Sequence, residues 1–96
     1  SMVAVIPLGE AARPQAMKLA QELRNSAIAA EMIVHHNIGK ALKKADASGA
    51  RFAALLGEDE IARENISLKD LREGSQAMLG RTEALAKIKD ELATNH

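Results

Sequence analysis

The sequence predicts a single α/β domain with parallel strands at its centre. Three observations lead there. An unbroken apolar run, Phe52-Ala53-Ala54-Leu55-Leu56, stops at Gly57 and is followed at once by Glu58, Asp59 and Glu60, the mark of a strand buried on both faces. Short β-prone segments alternate with segments whose apolar residues recur at helical spacing, which implies strand–helix–strand units, right-handed crossovers and parallel neighbours. With 96 residues and short connections throughout, the chain has the size of one domain.

Val3-Ala4-Val5-Ile6 reads as the first strand, ended by Pro7. Pro14 marks the first turn of a helix, because proline is tolerated only there. Ala16, Leu19, Ala20 and Leu23 form the buried stripe of that helix, with Lys18, Gln21, Glu22 and Arg24 facing away. Residues 28–34 read as the second strand, and His35-His36-Asn37 as a polar break. Ile38, Ala41, Leu42 and Ala45 form a second helical stripe opposite Lys40, Lys43 and Lys44, and Gly49 is placed to close the helix in a left-handed conformation. The third strand is the apolar run. Residues 61–64 read as a loop. Ile66 and Leu68 alternate with Ser67 and Lys69, which predicts a fourth strand with one wetter face. A turn at residues 72–75 leads into a short fifth strand over residues 76–79. Thr82 can cap a third and last helix whose buried stripe is Leu85, Ile88 and Leu92.

Composition excludes more than it selects. Phe52 is the only aromatic residue, so the core must be filled by Ala, Leu, Ile, Val and Met. The absence of cysteine excludes disulfides and thiolate chemistry and fits a reducing, cytoplasmic compartment. No apolar run nears the roughly 20 residues of a membrane span, and residues 3–8 are too short for a signal peptide. Ser1-Met2 reads as a remnant of cloning, which leaves residues 3–96 as the domain and places the natural start farther upstream. Thirteen basic and thirteen acidic residues cancel, so overall charge makes no case for nucleic acid. The charge is uneven, however: Lys40, Lys43, Lys44 and Arg51 stand against Asp46 in residues 35–51, and six acids stand against three bases in residues 57–74. Solvated faces are the ordinary reading of such segments, and a binding edge is the sharper one.

The turn after the first strand has one glycine where a dinucleotide fingerprint needs three, and there is no phosphate-loop lysine motif, so both nucleotide readings are rejected. A phosphoryl receiver needs acids at the ends of strands one and three, where Pro7-Leu8 and Gly57 stand instead. His35 and His36 are neighbours, which on a strand point to opposite faces, and His96 lies at the chain end; no metal site is expected. Glu58, Asp59 and Glu60 stand where open α/β sheets bind ligands. No nucleophile or oxyanion donor accompanies them, so catalysis is not expected, but carboxylates can accept hydrogen bonds from base amines. Lys40, Lys43 and Lys44 can neutralise phosphates.

Four motifs occur in an order that is familiar. They are Val5-Ile6-Pro7-Leu8-Gly9-Glu10, Lys43-Lys44-Ala45-Asp46-Ala47-Ser48-Gly49-Ala50, Leu56-Gly57-Glu58-Asp59-Glu60 and Lys69-Asp70-Leu71. Over essentially its whole length the chain resembles the C-terminal anticodon-binding domain of class II aminoacyl-tRNA synthetases, and within them the histidyl branch most closely. The resemblance implies a three-layer, five-stranded mixed sheet of order 2-1-3-4-5, with strand four antiparallel and three covering helices. It implies that anticodon bases meet the end of strand two and the start of helix two (His35, His36, Asn37), an acid after strand three (Glu60) and a basic residue on strand four (Lys69). Splayed loop bases offer free edges to such groups. With Lys40, Lys43 and Glu58 added from the reading above, these are the expected nucleic-acid contacts.

The function so implied is recognition of the histidine tRNA anticodon by a piece of a synthetase. The piece itself is expected not to be an enzyme and to need no cofactor, with ATP and Mg serving the catalytic part of the parent. The piece is expected to be monomeric and the parent a homodimer. Two rival readings stay open: a regulatory paralogue of the synthetase in histidine biosynthesis, and a free-standing α/β protein-interaction module.

Overall fold

The computed structural model describes residues 2–93, so the terminal His96 lies outside the described residues. Five strands form one mixed sheet: β1 (Met2–Pro7), β2 (Ala29–Met32), β3 (Ala50–Leu56), β4 (Asn65–Asp70) and β5 (Gln76–Gly80), in the order β2-β1-β3-β4-β5. β2, β1 and β3 run parallel, β4 runs antiparallel to β3, and β5 antiparallel to β4. The helices are α1 (Arg13–Asn25), α2 (Ile38–Ala47), α3 (Glu58–Ala62) and α4 (Arg81–Ala93). The expected sheet, its order and its antiparallel fourth strand are therefore present.

The sheet separates two apolar layers. On one face Val3, Val5, Phe52, Ala54, Leu56, Ile66 and Leu68 pack against Leu19 and Leu23 of α1 and Ala84 and Ile88 of α4. On the other, Ala4, Ile6, Ala53 and Leu55 pack against Ala41 and Ala45 of α2. Small residues on both sides let α2 lie close to the sheet. Phe52 is fully buried at the centre of the larger layer. Pro14 stands in the first turn of α1, and Gly49 closes α2 with a φ of 82°, a conformation that costs glycine nothing.

Four expectations need correction. The loop over residues 61–64 is half helix, with only Arg63 and Glu64 in a turn: α3 starts at Glu58, because Gly57 is extended and the Glu60 carboxylate returns to accept from the Gly57 N–H at 2.9 Å. Three acids in the first turn of α3 also suit the positive end of its dipole. β2 is shorter than residues 28–34, and His35 and His36 lie beyond it. They are therefore not held to opposite faces: their rings stack at 4.6 Å between centroids. The wetter face of the fourth strand is narrower than expected: Asn65 and Lys69 on it are half-buried, but Ser67 is buried beneath Gln76, whose amide donates to its hydroxyl at 2.8 Å. Finally, α4 begins at Arg81, which places Thr82 inside its first turn, and the fully buried positions are Ala84 and Ile88 with Leu85 and Leu92 beside them.

Candidate nucleic-acid interface

The chain leaves β2 through Ile33, whose N–H donates to Val5 O, and turns into α2 over three polar residues. Asn37 caps α2: its side-chain oxygen accepts from Lys40 N–H at 3.0 Å. Asn37 N–H in turn donates to His35 Nδ1 at 3.0 Å, which fixes the neutral tautomer with its proton on Nε2. Partial burial and then the nearby His36, Lys40 and Lys44 hold the His35 imidazole below its ordinary pKa. Lys40 and Lys44 are one turn apart and stand on one stripe of α2 with the imidazole pair; Lys43 is exposed on a neighbouring stripe. The predicted His35, His36, Asn37 and Lys40 are thus brought together at the start of α2, with Lys43 a turn further on.

Glu58 and Glu60 start α3, at the carboxyl end of β3. They differ in what they are free to do. One oxygen of Glu60 is held by the Gly57 N–H, whereas Glu58 is exposed. Lys69 is elsewhere. It pairs in register with Ala53 on β3 and Gln76 on β5, toward the opposite end of β4 from α3, so Glu60 and Lys69 are not neighbours.

Lys69 belongs to a surface that periodicity alone did not reveal. Ser67 and Lys69 oppose Leu55 and Ala53, and Met78 and Gln76 oppose Ser67 and Lys69, so all four side chains project on the α2 face of the sheet. α2 covers β1 and β3 there, and among the described residues no helix covers β4 and β5 on that face. The result is a trough walled by α2 and floored by half a sheet. Met78 is 54% exposed on its floor, and Ile38 is 48% exposed at the start of α2. Ser67, Gln76 and Met78 were missed because their face follows from strand register, which period-two alternation in β5 could only have suggested.

Two other features lie away from this trough. Arg51 and Asp70 form a buried pair at the amino end of β3, on the α4 face. A groove of about 700 Å³ opens between α1, α3 and α4 near the Glu22–Arg81 ion pair, on the face opposite α2, and none of the residues predicted from sequence lines it. Among the described residues there is no group of three or more metal-ligating side chains, and no helix long and apolar enough to cross a membrane.

Comparison with known proteins agrees with this fold. The model of the family described as an anticodon binding domain matches residues 2–91. The chain is 46% identical over 77 residues to a histidine–tRNA ligase of Gluconacetobacter diazotrophicus, covering 80% of this chain and 19% of that protein. It is 38% identical over 97 residues to the histidine–tRNA ligase of Laribacter hongkongensis, covering 95% and 22%. Among solved structures, histidyl-tRNA synthetase from Nostoc sp. PCC 7120 superposes with a TM-score of 0.87 at 31% identity, over 94% of this chain and 22% of that one. The RNA binding domain of threonyl-tRNA synthetase from Cryptosporidium parvum Iowa II superposes with a TM-score of 0.83 at 15% identity, over 93% and 23%, a likeness of fold. The chain spans about a fifth of the length of the curated relatives it matches.

Proposed function

The chain belongs to the anticodon binding domain family, and on that premise we propose that it binds the anticodon loop of a tRNA, that of histidine, as one domain of a histidine–tRNA ligase. The observation that carries this reading is the uncovered half of the sheet beside α2. There Lys69 and Gln76 offer hydrogen-bonding groups and Met78 an apolar edge, next to a helix faced with Lys40, Lys43 and Lys44. Loop bases are splayed and expose their edges, so a shallow polar trough suits them better than a deep pocket. Contacts to base edges specify, and contacts to phosphates position. In this reading Lys69 and Gln76 read edges from the sheet, His35, His36 and Asn37 meet the loop at the start of α2, and Glu58 accepts from a base amine. Glu60 does the same with the oxygen its cap leaves over. The lysines of α2 take phosphates.

The domain carries no catalysis and needs no cofactor of its own; ATP and Mg belong to the catalytic part of the parent. The domain is monomeric, the parent dimeric and cytoplasmic. The test is kcat/KM of the parent ligase for cognate and anticodon-swapped tRNA. Lys69→Met is expected to lose roughly 1–3 kcal/mol of discrimination, while Lys43→Ala weakens both tRNAs alike. An unchanged ratio in Lys69→Met and in Gln76→Leu overturns the trough as the reading surface.

A further inference from the structure

Asp70 closes the β4–β5 hairpin and ties it to the rest of the fold. Its backbone N–H donates to Ser75 O at 2.8 Å, and its carbonyl accepts from Gly74 N–H at 2.7 Å. Its Oδ1 accepts from the N–H groups of Arg72 and Glu73 at 3.0 and 3.1 Å. Arg51 donates from Nε to Oδ1 and from Nη2 to Oδ2, both at 3.2 Å, and Nη2 also reaches Glu91 Oε2 on α4 at 3.3 Å. Arg51 is the extra residue where the β1–β3 register shifts: Met2 pairs with Ala50 and Val3 with Phe52. Such a bulge re-aims a side chain, here toward Asp70 and α4. The hairpin held in this way carries Lys69 opposite Gln76 and Ser67 opposite Met78. A slip of one residue would turn all of them to the other face.

We infer that Asp70 is a positioning residue for the trough: the Arg51–Asp70–Glu91 brace fixes the register and twist of the β4–β5 hairpin and so sets where Lys69, Gln76 and Met78 meet RNA. The inference rests on the reading of that face as an RNA surface. Lys69 and Asp70 are adjacent on β4 and therefore face opposite sides of the sheet. Asp70 touches no ligand, and its effect passes through the hairpin. A role in stability alone would change the folded fraction and leave binding by the folded chain as it was.

The test uses Asp70→Asn, which keeps an acceptor for the two turn N–H groups and removes the charge that faces Arg51. Asp70→Ala is the fuller deletion, and Asp70→Asn carries the test if Asp70→Ala does not fold. Amide exchange and binding of a synthetic histidine-tRNA anticodon stem-loop are measured where circular dichroism shows a folded chain. Exchange at residues 76–79 is expected to speed up about tenfold while β1 stays protected, and stem-loop affinity to fall about tenfold. Lys69→Met then costs less in the Asp70→Asn background than in the wild-type chain, while Lys43→Ala costs the same in both. Unchanged affinity in Asp70→Asn, or losses that simply add to those of Lys69→Met, overturn the inference. A Lys69→Met that is silent in the wild-type chain removes the RNA reading of this face and the inference with it. A Lys69→Met that weakens binding beside a silent Asp70→Asn removes the inference alone.

Discussion

Two charged regions of this domain are built on opposite terms. At the amino end of β3 the Arg51 and Asp70 side chains are buried, no fully buried polar side-chain atom there lacks a partner, and the partners come from β3, the β4–β5 turn and α4. Along α2, Lys40, Lys43 and Lys44 are exposed, and their ammonium groups form no ion pair among the described residues. Charge in the first region is spent on holding elements together, because an unpaired buried charge is costly. Charge in the second stays in water, where it adds little to folding and remains available to an incoming anion. The same residue types thus serve the fold in one place and its surface in the other, and burial decides which.

The sharpest break in that contrast comes from Asp70→Ala. Losing the carboxylate strands two turn N–H groups and a guanidinium, and we expect a loss of about 3 kcal/mol in urea unfolding. Acid probes the same group. Burial favours the protonated carboxyl, but hydrogen bonds from Arg51 and from the Glu73 and Arg72 N–H groups outweigh it and hold Asp70 below its ordinary pKa. The unfolded chain therefore takes up this proton first. Its contribution to stability is whole above the ordinary carboxylate range and is lost as pH falls through the folded value. Melting temperature measured against pH loses part of its acid limb in Asp70→Asn; an unaltered limb would remove Asp70 as the cause.

The lysines give the opposite pattern. Replacing Lys40, Lys43 and Lys44 together by Ala leaves stability within about 0.5 kcal/mol. It removes about 2 from the slope of log affinity for single-stranded anticodon RNA against log salt. Titrations at several salt concentrations check this, and a slope that does not move sends the phosphates to another surface. Glu60 lies between the two regimes. Glu60→Gln keeps the capping geometry and changes stability by a few tenths of a kcal/mol, whereas Glu60→Ala loses the cap and about 1 kcal/mol. Equal stability for the two variants would mean that the cap adds nothing.

Elements with a strong period were legible from sequence: the stripe Ala16, Leu19, Ala20, Leu23 of α1, the run Phe52 to Leu56 of β3, and the glycine stop of α2 at Gly49. The helix α3 was not, because five residues are too few to show a period and its start is set by one hydrogen bond from Gly57 N–H to Glu60. The candidate site was half legible. His35, His36, Asn37 and Lys40 are contiguous or nearly so, and the chain itself brings them together. The trough was out of reach, because Lys69, Gln76 and Met78 share a face only once β4 and β5 pair in one register. The Arg51–Asp70 pair spans 19 positions and depends on a bulge between β1 and β3, for which the sequence offers no sign.

Phe52, sealed between β3 and the helices α1 and α4, has an optical consequence. A chain with no tryptophan and no tyrosine is nearly dark in the near ultraviolet. Unfolding followed by intrinsic tryptophan or tyrosine fluorescence would leave this domain unseen. The same darkness is useful at the trough: a single tryptophan placed at the exposed Met78 would emit against an empty background, so its quenching by RNA could be attributed to that one position.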